Sequence, residues 1–195
     1  MYEVVGSSAS RAFRVLWMLE ELEMPYIHVP AAPQSPEARA VNPSGKVPVL
    51  RQNGGFISDS IAIMSYLGDV SKQLTYPAGS FERARQDSLT CRISDELDSA
   101  LWVAARHSFV LPKELRVPEV KATLRWEYQR NLEFLADEIS GPYLMGQSMT
   151  VPDIVLVHCL RWARNARFPE PSSKIRDYVS RMEDRPALKR AAELP

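Results

Sequence analysis

Three short stretches carry residue types able to bind a small polar molecule and act on it. "GSSAS" (6–10) gathers the hydroxyls of Ser7, Ser8 and Ser10 just ahead of an apolar run with helical spacing, "SRAFRVLWMLEEL" (10–22). A hydroxyl at such a start caps the helix, or donates to an anion at the positive end of its dipole, and Arg11 adds a cation beside it. "SDS" (58–60) opens a second helix, whose unpaired N–H groups and dipole attract a carboxylate. Ser60 contributes a further donor there, and Asp59 an acceptor. "GKVPVL" (45–50) has the alternation of a short strand but holds Pro48 inside it. Proline cannot donate a ladder hydrogen bond, and in sheets it is confined to edges, first positions and bulges.

Other chemistries are set aside on the same grounds. "GSSAS" is not a G-x-S-x-G elbow, because residue 10 is serine. His28, His107 and His158 have no ligand spacing among themselves or with Cys91 and Cys159, so no metal centre is expected. His28 alternates within a strand and reads as structural. "RWARNARF" (161–168) interleaves arginine with aromatics but sits at a helix end, where cations suit the dipole. Lys plus Arg equals Asp plus Glu, 24 against 24, so no net field draws nucleic acid or anionic membrane. No P-loop or dinucleotide fingerprint is present. Apolar runs fall short of the roughly 18–20 residues a membrane span needs, and "MYEVVGSS" does not read as a signal peptide. Two separated cysteines make neither a disulfide framework nor a dithiol site, so a soluble protein of a reducing, cytoplasmic compartment is expected.

The elements that must position these residues fall into two halves of different grammar. "YEVV" (2–5) reads as a strand, 10–24 as a mostly buried helix, and "YIHV" (26–29) as a second strand. Pro30, Pro33, Pro36 and Pro43 leave room only for a short helix near 36–41. "VPVL" (47–50) and "GFIS" (55–58) flank "NGG", a strong hairpin signal, and 59–69 closes the half as a helix ending at Gly68. The order βαβαββα predicts an α/β, thioredoxin-like N-terminal domain over 1–75. A linker follows at 76–83, and then an all-α helical bundle over 84–195. Its helical patterns run 81–110, 119–139, 151–166 and 173–184, with a short last helix from Pro186. "MTVPDI" (149–154) is a helix-start signature. Thr150 caps, Asp153 reaches back, and Met149 and Ile154 staple the entry, a folding device worth about 0.5–2 kcal/mol.

"SRAFRVLWMLEEL", "NPSGKVPVL" (42–50), "SDSIAIMSYL" (58–67) and "MTVPD" (149–153), in this order and spacing, resemble the cytosolic glutathione S-transferases, serine-type bacterial and fungal members above all. Proline at 152 stands where that family more often has alanine. The resemblance covers nearly the whole chain. It implies a cis Val47–Pro48 bond, which turns the Val47 N–H and C=O away from the sheet to pair with the extended peptide glutathione, as an added strand does. It also implies that Ser60 and Asp59 hold the γ-glutamyl carboxylate and ammonium, and that Lys46 meets the glycine carboxylate.

The thiol must become a thiolate. Lowering its pKa by about two units from roughly 8.5 takes about 2.7 kcal/mol. A charge-assisted hydrogen bond supplies about 1.5–3 kcal/mol and a helix N-terminus about 0.3–1. One hydroxyl at the first helix start is nearly sufficient, without a metal or other cofactor, glutathione being a co-substrate. Ser10 is the expected donor with Arg11 beside it; Ser7 and Ser8 are the alternatives. Trp102, Arg106 and Phe109 fall at i, i+4 and i+7 and are candidates to line a second-substrate pocket between the halves.

The expected activity is detoxifying conjugation of glutathione to a small hydrophobic electrophile. A glutathione-dependent peroxidase or disulfide reductase, and a non-catalytic binding protein, are the alternatives. A homodimer is expected, with no nucleic-acid or membrane partner.

Overall fold

The computed structural model describes residues 1–139 and 141–195. By internal contacts it divides into two compact units, Met1–Arg83 with Arg181–Pro195, and Ala84–Ser180.

In the first unit, β1 (Tyr2–Val5), α1 (Ala12–Glu21), β2 (Tyr26–Val29), α2 (Pro36–Val41), β3 (Val49–Gln52), β4 (Gly55–Ser58) and α3 (Ser60–Ser71) follow the predicted order. They form one four-stranded sheet, β2-β1-β3-β4, with β1 parallel to β2 and the other two pairs antiparallel. Asn53 and Gly54 both take positive φ (50° and 79°), as a two-residue hairpin turn requires, and set Gln52 opposite Gly55. Alternation divides the sheet's side chains. Val5 and Val49 pack with Ala31 and with Val29 and Val41, so α2 covers this face. Val4 and Leu50 point the other way and are fully buried beside α1 and α3. Helix α1 is buried without interruption from Ala12 to Leu19, because α9 (Pro186–Ala192) covers the side that the sheet and α3 leave. Arg185 pairs with Glu21 at 2.6 Å and 2.7 Å, and Arg190 with Glu20 at 2.6 Å.

The bounds of β3, α1 and α3 differ from expectation. Strand β3 begins at Val49, two residues late, since Val47 and Pro48 make no ladder pair. Helix α1 begins at Ala12 rather than residue 10, because Ser10 N–H bonds back to Ser7 O (3.0 Å) and residues 7–10 form a turn. Helix α3 runs through Gly68 to Ser71. That glycine makes room rather than a stop: a Cβ there would meet Thr75 at 3.1 Å.

In the second unit, the helix expected over 81–110 is interrupted twice. Helix α4 (Phe81–Ile93) passes through a π turn, Ser94–Asp98, into α5 (Ser99–Ala105), and a second π turn, Arg106–Val110, follows. Each is closed by an i→i+5 bond, Ser99 N–H to Ser94 O and Leu111 N–H to Arg106 O. Then come a 3₁₀ turn (Lys113–Leu115), α6 (Val120–Glu138), α7 (Val151–Asn165) and α8 (Ser173–Glu183). The predicted start of α7 is present, with Asp153 Oδ2 accepting from Thr150 N–H (2.8 Å) and Thr150 Oγ1 (3.2 Å). No helix among the described residues is long and apolar enough to cross a membrane.

Candidate active site

Gly6 is the pivot of the first unit's candidate site. Its φ of 146° suits glycine, and a Cβ there would lie 2.7 Å from Ala12 Cβ and 3.1 Å from Val47 Cβ. Absence of that atom lets the start of α1 and the Val47 side chain flank the same residue. His28, the strand histidine, fixes the pivot: its Nε2 is 2.8 Å from Gly6 O.

The three serines that follow are held differently. Ser7 Oγ accepts from Ala9 N–H at 3.2 Å. Ser8 Oγ donates to Leu194 O at 2.7 Å, and its N–H to Pro195 O at 3.1 Å, so the chain itself uses Ser8. Ser10 Oγ donates to Ser7 O at 2.7 Å and accepts from Ala12 N–H at 3.1 Å, while Arg11 stands at the N-cap of α1. All three are half-buried.

The Val47–Pro48 peptide is cis. Val47 is half-buried, and its N–H and C=O have no hydrogen-bond partner among the described residues. The loop before it is knit by its own side chains: Asn42 Nδ2 donates to Lys46 O (2.9 Å) and Gln34 Nε2 to Ser44 O (2.9 Å). Lys46 is exposed.

At the start of α3, Asp59 has φ 76° and caps the helix, Oδ1 accepting from Ile61 N–H (2.8 Å) and Ala62 N–H (3.2 Å). Ser60 is 2 % exposed, and its Oγ accepts from Arg14 Nη1 at 3.3 Å. Arg14 was missed by the sequence reading. It is 1 % exposed in the apolar heart of α1 and brings a cation beneath the N-terminus of α3. The available signal was an arginine inside a run otherwise buried on every side.

Ser10, Val47 and Ser60 are thus tied together through Gly6 and through α1. Trp102, Arg106 and Phe109 belong to the second unit. Trp102 and Arg106 are half-buried and Phe109 is 69 % exposed. The π turn that starts at Arg106 adds a residue to its hydrogen-bonded loop, so α-helical spacing no longer describes this stripe.

Comparison with known proteins agrees with the fold. The glutathione S-transferase N-terminal domain model matches residues 10–70, and the corresponding C-terminal domain model residues 112–192. The chain is 33% identical over 156 residues to glutathione S-transferase GstA of Escherichia coli O157:H7, across 78% of this chain and 75% of that one. The ternary complex of BphK, a bacterial GST, superimposes with a TM-score of 0.87 at 25% identity, covering 97% of each chain. A glutathione transferase family member from Pseudomonas fluorescens Pf-5, solved with two glutathione bound, has the same fold. Its TM-score is 0.80 at 21% identity, over 100% of this chain and 93% of that one. A thioredoxin-like unit followed by helices is the fold of the glutathione transferases. The chain belongs to the glutathione S-transferase family, and it is an enzyme of glutathione-transferase type.

Proposed function

We propose that this enzyme binds glutathione along Val47, holds its sulfur as thiolate near the start of α1, and transfers it to a small hydrophobic electrophile. The observation that carries the reading is the unpaired backbone of Val47, whose side chain packs on the Gly6 pivot: one donor and one acceptor offered together to an extended peptide. The cysteine residue of glutathione takes those two bonds. Its γ-glutamyl carboxylate lies at the α3 N-terminus on Ser60 N–H and Oγ, with Arg14 behind Ser60 as a positioning cation. Asp59 Oδ2 faces the ammonium, its Oδ1 being used by the cap, and Lys46 meets the glycine carboxylate.

Ser10 is the proposed thiolate donor. Its proton must leave Ser7 O, a neutral bond worth about 0.5–1.5 kcal/mol, for a charge-assisted bond worth about 1.5–3. The exchange is favourable, and Arg11 and the α1 dipole add to it. The thiolate attacks the electrophile's carbon with its electron pair, and the electrophile's leaving group departs or its π bond opens. Trp102, Arg106 and Phe109 are the side chains we assign to the electrophile.

Thiolate absorbance of the glutathione complex, titrated against pH, tests this. Wild type should show a pKa about two units below the free thiol. Ser10→Ala should return it towards the free value, with glutathione affinity within a few-fold of wild type. No shift in wild type overturns the conjugating mechanism. A shift lost in Ser7→Ala and kept in Ser10→Ala moves the role to Ser7. A thioether product separates conjugation from peroxidase or reductase turnover, which yields oxidised glutathione.

A further inference from the structure

The second unit contains a cluster that the glutathione chemistry does not use. Asp98 is the last residue of the first π turn, and His158 and Cys159 are neighbours on α7. Their donor atoms, a carboxylate oxygen, an imidazole nitrogen and the thiol sulfur, all lie within 4.8 Å of one another. Cys159 is 0 % exposed and Asp98 6 %. His158 is half-buried and packs edge-on against half-buried Trp162, so the cluster approaches the surface on one side.

A second observation concerns a neighbour of Cys159. The Tyr128 phenol, on α6, is 1 % exposed and its hydroxyl has no hydrogen-bond partner. The phenol is near enough to Cys159 for the two to interact electrostatically. A buried hydroxyl without a partner is costly, and a ligand would complete it.

We propose that Asp98, His158 and Cys159 form a zinc-type site, three protein ligands with a fourth position facing Tyr128. The donor set is the borderline one that Zn²⁺ takes, thiolate, imidazole and carboxylate. Geometry agrees. For bonds of about 2.3 Å to sulfur and about 2.0 Å to oxygen, a tetrahedral S···O edge is about 3.5 Å. Cys159 Sγ and Asp98 Oδ1 stand 3.7 Å apart. Charge agrees too: one thiolate and one carboxylate neutralise a divalent ion, removing the cost of isolated charge in the bundle. Binding breaks the Cys159 S–H bond, the sulfur pair goes to the metal, and the proton is released to solvent. A water in the fourth position would give Tyr128 its partner. Sequence spacing did not disclose the site, because Asp98 lies on another helix and reaches the cluster through a π turn.

Untagged full-length protein, freed of metal with a chelator and without glutathione, is titrated with Co²⁺ and then with Zn²⁺ against a chromophoric chelator. One equivalent of Co²⁺ should give a thiolate-to-cobalt charge-transfer band in the near ultraviolet and intense tetrahedral d–d bands. Cys159→Ser should abolish the charge-transfer band. His158→Ala, at a half-buried position that the fold tolerates, should lower Zn²⁺ affinity by about a hundredfold or more, with circular dichroism unchanged. Tyr128→Phe should keep the charge-transfer band and weaken binding by about ten- to a hundredfold. The proposal is overturned if wild type takes up no stoichiometric metal, or if His158→Ala binds as tightly as wild type. In the first case the cluster is only a hydrogen-bonded knot in the core; in the second the metal lies elsewhere.

Discussion

Asp153 receives four hydrogen bonds in a position with no solvent exposure: from Leu144 N–H (2.9 Å), Thr150 N–H (2.8 Å), Thr150 Oγ1 (3.2 Å) and Tyr178 Oη (2.8 Å). The pair Thr150–Asp153 was legible as a capping box, because its spacing is local. Leu144 and Tyr178 were not, since nothing in the sequence ties a tyrosine of α8 to an aspartate 25 residues earlier. The added partners change the magnitude. Removing the carboxylate strands buried donors at about 1–3 kcal/mol each. Asp153→Ala should therefore cost roughly 3–5 kcal/mol, beyond the 0.5–2 of an ordinary cap. Urea denaturation checks this, and a loss below about 2 kcal/mol would contradict the network. The same contrast holds in the candidate site. The placement of Ser10 ahead of α1 and of Val47 before the proline follows from local sequence, but the occupation of Ser8 by Leu194 depends on a contact spanning 186 positions.

Between elements, the link of α9 to α1 is electrostatic at its rim and apolar at its centre, where Ala187, Leu188 and Ala191 are buried. Burial opposes ionisation of Glu20, but the guanidinium of Arg190 and the hydroxyl of Tyr26 outweigh it and hold its carboxyl below the usual range. A depressed folded pKa makes Glu20 stabilising above the unfolded value of about 4.3, and that contribution is lost as pH falls through the folded one. Amide exchange of α9 should accelerate as pH falls below about 4, beyond the intrinsic trend, and Glu20→Gln should remove the excess. An excess unchanged in Glu20→Gln would assign it to another group. Legibility at this scale follows the kind of signal. Helix α2 matched its expected range, 36–41, because proline and Ser35 mark its start chemically. The π turns had no mark, since "SDELDSA" reads as continuous helix and each bulge is fixed by the packing around it.

For the whole molecule, net charge is zero and the chain is 22.1 kDa. We propose that it forms a two-fold homodimer, in which the same patch serves both subunits. Light scattering at micromolar concentration should report about twice 22.1 kDa, and a single 22.1 kDa species would exclude the dimer. The attachment of residues 181–195 to the first unit also has a consequence in time. Helix α1 emerges well before Leu188 and Ala191, which cover it, and before Leu194, which occupies Ser8. At about 5–20 residues per second, the first unit waits roughly five to twenty seconds for its own closing piece. During that interval the nascent chain carries the apolar flank of α1 uncovered and the serine turn stays untied, an aggregation-prone surface that the finished fold hides.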